Sequence, residues 1–384
     1  MDNIAGTKSS LKWAVHLSVA VLVALWVFPT LGLFVSSFRT ADQISSSGWW
    51  KSMFPTEQTL TLRSADPEAQ TETGGVYVIE GNLFTLNDVP PADISAWGIS
   101  SRDVGAFGAG DTAELRGGGT ITVQANGDYR MESAEPFSGS RGQRVFAKAE
   151  IPPEFTLANY QRVLFSGDAT DSMAKAFFNT LTVTIPATII PILVAAFAAY
   201  ALAWMDFPGR ALLIAAVVGL LVVPLQLALI PLLKLHLAVG IGKGYLGVWL
   251  AHTGFGLPLA IYLLRNYMVG LPRDIIENAR VDGATEFQIF TKIILPLSFP
   301  ALASFAIFQF LWTWNDLLVA LVFLIDATGE TTVMTKQIIE LLGTRGGNWE
   351  ILATAAFVSI AVPLMVFFAM QKYLVRGLLA GSVK

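Results

Sequence analysis

The chain has 384 residues, of which 53% are hydrophobic and only 14% charged, where a soluble domain averages roughly 25% charged. That deficit points to a membrane protein, and the formal charge of −4 excludes a large basic face for nucleic acid. Cysteine is absent, which excludes a disulfide framework and any thiolate metal site; the three histidines, His16, His236 and His252, are too scattered for a metal cluster.

Six stretches reach the ~20 apolar residues that a hydrocarbon core requires, near 13–38, 177–203, 211–233, 244–264, 298–325 and 350–370. The first is longer than the ~7–15 residues of a signal-peptide core and lacks a small-x-small cleavage site, so it reads as an uncleaved span. Lys8 and Lys12 precede it, which sets the N-terminus in the cytoplasm. Six crossings return the C-terminus to the same side. This threading puts Arg210, Arg265, Arg273, Arg280, Lys292, Lys372, Arg376 and Lys384 inside as well, against Lys234, Lys243, Lys336 and Arg345 in the short outer loops. The positive-inside bias agrees with it.

Residues 40–176 break the pattern. They are rich in Gly, Ser and acidic residues and must lie outside lipid. Val76-Tyr77-Val78-Ile79 and Thr120-Ile121-Thr122-Val123 alternate with period two, and Asn126-Gly127 is a hairpin-turn pair, so the expectation is a small β-rich domain inserted on the outer side. The competing expectation is a disordered acidic loop.

Prolines recur within the later spans: Pro186 and Pro191, then Pro224 and Pro231, then Pro258. Each removes a backbone donor and favours a kink, which suits helices around a cavity but also occurs in plain bundle packing. Between the fourth and fifth spans, residues 265–297 are polar and cytoplasmic on this threading. Pro272 is placed to open a helix with Ile275, Ile276 and Ala279 on one face. Gly283 allows a turn, and a second short helix follows with Ala284, Phe287, Phe290 and Ile294 as its apolar side. Such a pair either docks against a soluble partner or rests on headgroups.

Here a resemblance becomes specific. Glu277-Asn278-Ala279, then Gly283, then Ile293-Ile294-Leu295-Pro296 resembles the EAA motif of ABC importer permeases at the family's spacing. The departure is Asn278 for the middle alanine. Pro29 through Ser36-Ser37-Phe38-Arg39, Phe155-Thr156-Leu157-Ala158-Asn159-Tyr160, Trp314-Asn315-Asp316 and the ending Gln371 through Lys384 are similar to the second, shorter permease subunit of the maltose-type sugar importers. The insert departs from the maltose subunit and resembles instead the permeases of α-glucoside importers.

The resemblance implies an all-α polytopic fold of six transmembrane helices, the type I importer permease fold, with the β-rich insert after the first helix. Its parts are residues 1–39, the insert 40–176, the permease core 177–370 and the tail 371–384. It implies a permease subunit that translocates an α-glucoside or related oligosaccharide. Glu277, Asn278, Ala279, Gly283, Ile293, Leu295 and Pro296 would contact a separate ATPase subunit. A second permease, two ATPase copies and a soluble sugar-binding protein would complete the assembly. No cofactor is expected in this chain, ATP and Mg being held by the ATPase, and no G-x-x-x-x-G-K-[ST] occurs; Gly240-Ile241-Gly242-Lys243-Gly244 only imitates its end.

Rival readings are an ion-coupled secondary transporter, which would show buried ionisable residues where only Asp316 comes close, and an importer permease for a polyol or glycerol phosphate. A membrane enzyme finds no His/Asp/Glu constellation in the spans. Asn315, Gln226 and Gln309 are the candidates for lining a sugar path, or else for holding helices together. Trp312 and Trp314 read as interfacial belt residues rather than sugar-stacking platforms. The outer loop 326–349 has a helical apolar pattern at Val333, Ile338, Leu341 and Leu342, followed by glycines from Gly343 to Gly347; by resemblance it would reach into the binding protein.

Overall fold

The computed structural model describes residues 10–165, 173–324, 329–344 and 348–379. The chain divides into two compact units, Met1–Ala158 and Asn159–Lys384.

The first unit starts with helix α1 (Ser10–Ser36), apolar on every side, with Leu17, Leu25 and Trp26 all exposed. A helix with no polar face is one solvated by lipid. It ends at Ser37-Phe38-Arg39, where the buried Arg39 guanidinium donates to the carbonyls of Gln43 and Ser47 and so satisfies the end of short helix α2 (Ala41–Ser46). Nine strands follow: β1 (Thr56–Arg63), β2 (Thr71–Thr73), β3 (Val76–Asn82), β4 (Asp93–Gly98), β5 (Phe107–Gly108), β6 (Thr112–Glu114), β7 (Thr120–Val123), β8 (Asp128–Ser133) and β9 (Arg144–Ile151), with helix α3 (Leu83–Leu86) after β3. They form two antiparallel sheets, ordered β1-β9-β4-β5 and β2-β3-β8-β7-β6.

Both sheets contribute to one core. Leu62, Trp97, Val145 and Ala147 come from the first and Ile79, Ile121, Val123 and Met131 from the second. In β7, Ile121 and Val123 are buried while Thr120 and Thr122 are not, as alternation predicts. In β3 the alternation fails, since Val78 and Ile79 are both buried. The Asn126-Gly127 pair does turn the chain from β7 to β8. Gly127 has φ +83°, and the Asn126 side chain accepts from the Asp128 N–H. Residues 56–151, in the segment expected as either a β domain or a disordered loop, are therefore folded. The backbone N–H of Thr156 donates to the carbonyl of Phe38 at 2.8 Å, so the chain leaves and re-enters this region at one point.

The second unit opens with α4 (Ala158–Phe165) and then α5 (Met173–Trp204), a 32-residue apolar helix. Next come α6 (Arg210–Leu220) and α7 (Leu225–Ala238), which meet at an angle of 111° across the break before Pro224–Leu225, and α8 (Tyr245–Val269). The polar segment carries α9 (Arg273–Val281), α10 (Glu286–Ile289), a π-helical turn at Phe290–Ile294 and α11 (Leu295–Leu297). It leads at a 70° bend into α12 (Phe299–Trp314). After α13 (Leu318–Phe323) and α14 (Met334–Thr344), α15 (Trp349–Leu379) closes the described chain.

Among the described residues four helices are long and apolar enough to cross a membrane, namely α1, α5, α8 and α15, and each bent pair offers one more crossing. The apolar run 298–325, expected as one span, is broken at Asn315–Leu317. Asp316 accepts from the N–H groups of Val319 and Ala320 at 3.0 and 3.2 Å and so starts α13 afresh. Exposed Ile185, Ile189, Leu193 and Phe197 give α5 an apolar outer face suited to lipid.

Within 326–349, the loop expected to reach into a binding protein, α14 packs against α5 and α15. Val333, Met334 and Leu341 are buried, Met334 N–H donates to Thr180, and Thr335 donates to the Asp316 carbonyl. Of its apolar pattern, Val333 and Leu341 are thus used in packing within this chain, Ile338 is half-buried and Leu342 stays exposed. Residues 345–347, in the glycine run expected as a turn, lie outside the described residues, as does the end of the tail at 380–384.

Candidate functional site

The segment that carries the EAA-like pattern is built on a buried base. Ile276 of α9, Ile289 of α10, and Phe290 and Ile294 of the π-helical turn pack with Ala195, Ala199 and Tyr200 of α5, Leu264 and Met268 of α8, and Phe305 of α12. Phe287, expected on that apolar side, instead points outward, 65% exposed. The reason is the π-helical turn: its extra residue per turn shifts the buried stripe from 287 to 289.

Gly283 joins the two short helices at φ +80°, a left-handed conformation that favours glycine. Its neighbours close a helix C-cap. Gly283 N–H donates to the carbonyl of Arg280 and Ala284 N–H to that of Ala279, both at 3.0 Å. A Cβ at Gly283 would meet no atom of this chain within 4 Å, so the joint is not tight from within. Thr285 then opens α10 with a capping box, its hydroxyl accepting from Gln288 N–H while the Gln288 side chain accepts from Thr285 N–H.

One network here has no local sequence signal. Glu286 accepts from the Tyr200 hydroxyl of α5 and pairs with Arg280 Nε at 2.9 Å, while an Arg280 Nη reaches the Trp204 carbonyl. Tyr200 and Arg280 together hold the Glu286 carboxyl below the ordinary carboxylate range. The network straps both short helices to the end of α5.

What is left outward is a mixed surface. Glu277 and Asn278 are exposed, Ala279 half-buried, and Ile275, Val281 and Phe287 present large apolar side chains without cover in this chain. Ile293 and Leu295 are half-buried and Pro296 exposed on the way into α12. Exposed apolar groups rimmed by charge mark a docking surface more than a plain solvated turn.

The three path candidates do not come together through any hydrogen bond among the described residues. Gln226 is exposed near the start of α7, and Asn315 is exposed at the end of α12 with its amide donating to the Leu311 carbonyl. Gln309 is 3% exposed, and its amide donates to the carbonyls of Ala187 on α5 and His252 on α8, tying three helices. Around that tie lie buried polar atoms without a hydrogen-bond partner among the described residues. They are the hydroxyls of Thr184 and Thr188 flanking Ala187, that of Thr313 one turn along α12, and the Gln309 carbonyl oxygen. His252 Nε2 stands 3.8 Å from Asp316, the helix-capping carboxylate. The bundle thus holds a polar strip at helix crossings, assembled from residues that sequence alone leaves far apart. Trp314 is buried, with its indole N–H on the Ser359 carbonyl at 3.0 Å, and so is a core residue; Trp312 keeps the exposure expected of a belt residue.

Comparison with known proteins matches this arrangement. Residues 164–379 fit the model of the binding-protein-dependent transport system inner membrane component family. The chain is 59% identical over 382 residues to the alpha-glucoside transport system permease protein AglG of Rhizobium meliloti (strain 1021), covering 98% of each chain. It is also 59% identical over 231 residues to the osmoprotective compounds uptake permease protein GgtD of Synechocystis sp., covering 60% of this chain and 76% of that one. A crystal structure of a bacterial ABC transporter that imports the acidic polysaccharide alginate aligns at 22% identity and a TM-score of 0.48, over 58% of this chain and 81% of that chain. With more than half its length matched by the family model and a relative of high identity along nearly all of it, this chain belongs to the binding-protein-dependent transport system inner membrane components, the permeases of ABC importers.

Proposed function

We propose that this chain is one permease subunit of an ATP-driven importer for α-glucosides, with six membrane crossings, both termini cytoplasmic and the β-rich region outside. The observation that carries the substrate class is the 59% identity to an α-glucoside permease over 98% of both chains, insert included. The six crossings take α1, α5, the α6–α7 pair, α8, α12 (the apolar half of the second bent pair) and α15. Segment 265–297 is then cytoplasmic, and its uncovered Ile275, Val281 and Phe287 beside Glu277 are where an ATPase subunit docks. Glu277 pairs there with a basic residue of that subunit. ATP and Mg belong to the ATPase, and this chain supplies the passage and the joint. A second permease, a second ATPase copy and a solute-binding protein complete the assembly.

The sugar path runs beside the polar strip of Gln309, Thr184, Thr188 and Thr313, whose unsatisfied oxygens suit hydroxyl-rich solutes or the water that accompanies them. A second reading, uptake of an osmoprotective solute, rests on the relative whose match covers 60% of this chain.

The test is uptake of a radiolabelled α-linked glucose disaccharide, a β-linked one and an osmoprotectant by cells lacking this gene and by complemented cells. Loss and recovery confined to the α-linked sugar are expected. Unchanged α-glucoside uptake with a lost osmoprotectant would overturn the first reading in favour of the second.

A further inference from the structure

The β-rich region is acidic by sequence: between residues 40 and 158 stand eight Lys and Arg against sixteen Asp and Glu. The cations are not spread evenly. Arg130 and Lys148 are in ion pairs with Glu80, Glu132 and Glu57. Five of the remaining six, Arg63, Arg102, Arg116, Arg141 and Arg144, line a single cleft of ≈ 760 Å³.

No Asp or Glu lines that cleft, and none of its arginines is in an ion pair among the described residues. Arg63 donates one hydrogen bond, to the Gly142 carbonyl; the side chains of the exposed Arg102, Arg116 and Arg141 make none among those described. Arg63 and Arg144 also face each other directly across the β1–β9 pair. Like charges opposite one another on adjacent strands are destabilising unless an anion lies between them. The paired strands β1 and β9 contribute one arginine each, and the β4–β5, β6–β7 and β8–β9 connections bring one each. An acidic domain that gathers its unpaired guanidinium forks in one concavity is arranged for an anion.

The floor narrows the class. Ile79, Met131, Phe137 and Phe146 line the cleft beneath the arginines, and Ser101 and Ser138 add exposed hydroxyls at its edge. Apolar floor, hydroxyls and multiple forks fit an organic anion rather than a bare ion. The volume lies within the roughly 300–1,000 Å³ of small-molecule sites. We propose that this cleft binds a soluble, multiply charged organic anion, a saccharide or polyol bearing several phosphate, sulfate or carboxylate groups. This is a site separate from the permease path and independent of which sugar that path carries.

The test is calorimetric titration of the full chain in a polyoxyethylene detergent, which presents no sugar headgroup, with sucrose octasulfate and inositol hexakisphosphate as probes and sucrose as the neutral control. Saturable binding of both anions, weakened on raising salt from about 50 to 200 mM, is expected, with none for sucrose. R102Q/R116Q/R141Q alters exposed loop positions only, and should weaken binding at least tenfold while leaving the melting temperature unchanged. K51Q/R130Q/K148Q removes the same three charges from outside the cleft and should change affinity less than twofold. Equal weakening by both variants, binding untouched by the cleft variant, or no saturation would overturn the proposal. Displacement of the probes by short-chain phosphatidylglycerol but not phosphatidylcholine would overturn the soluble ligand in favour of a lipid headgroup. Failure of both probes, together with a solute-binding protein that releases from the cleft variant, would replace the small anion with a protein surface.

Discussion

Replacement of Gly283 separates two reasons for a glycine at the joint of the EAA segment. The backbone there sits at φ +80°, where any L side chain costs about 1–2 kcal/mol, and asparagine less than alanine because its amide bonds locally. Within this chain that is the whole penalty, since an added Cβ meets nothing within 4 Å. About 1 kcal/mol is small against the ~5–15 kcal/mol that holds a fold together, so the variants fold and insert. Backbone strain alone therefore ranks Gly283→Asn above Gly283→Ala in residual function. An ATPase subunit packed on Gly283 adds overpacking of about 1–3 kcal/mol that grows with side-chain size, and so reverses the order. We expect the reversed order: in proteoliposomes, ATP-driven α-glucoside uptake should fall severalfold for Gly283→Ala and at least tenfold for Gly283→Asn, with the ATPase co-purifying less with Gly283→Asn. If asparagine retains more uptake than alanine, no partner touches this glycine and the docking argument fails at its centre.

Three further outcomes follow from the packing. Glu286→Gln should raise amide exchange over residues 273–290 severalfold without unfolding the bundle; because the Glu286 pKa is depressed, the wild-type strap is fully present above the ordinary carboxylate range and is lost as pH falls below that range through the lowered native value, so wild-type exchange should approach the variant's only in acid. Gly256→Ala puts a Cβ 2.6 Å from Gln309 Oε1 and must push that amide off Ala187 and His252, at a cost of about 1–3 kcal/mol and a melting temperature lower by roughly 2–8 °C; an unshifted melt would show that Gln309 ties nothing. Trp314→Phe removes the donor to Ser359 between α12 and α15 and should cost about 1–3 kcal/mol, read in the same melt, whereas a belt residue would lose little.

Long apolar runs made the membrane helices legible in sequence, and the charged interruption with Gly283 marked the joint between them. Alternation in β7 and the Asn126-Gly127 turn announced a β region. What stayed hidden depends on separations that sequence does not encode locally. Tyr200 and Glu286 are 86 positions apart, and nothing around either names the other. The outward turn of Phe287 needed a π-helical residue that a 3.6 period does not foresee. Asn315-Asp316 was visible as polarity in an apolar run, but not that it ends α12 and caps α13. Trp314 went inward for a related reason: an indole is apolar enough to be buried once its N–H has a carbonyl, and Ser359 supplies one.

The hydrogen bond from Thr156 to Phe38 has an evolutionary side. Because the chain departs and returns at one spot, everything between is, for the lineage, a cassette whose ends are already joined. Lengthening such a closed excursion adds only a slowly growing entropy. Mutation is thus free to enlarge, prune or exchange this cassette, cleft included, at a pace decoupled from the helices. New ligand preferences can be tried there while the helices keep their own packing.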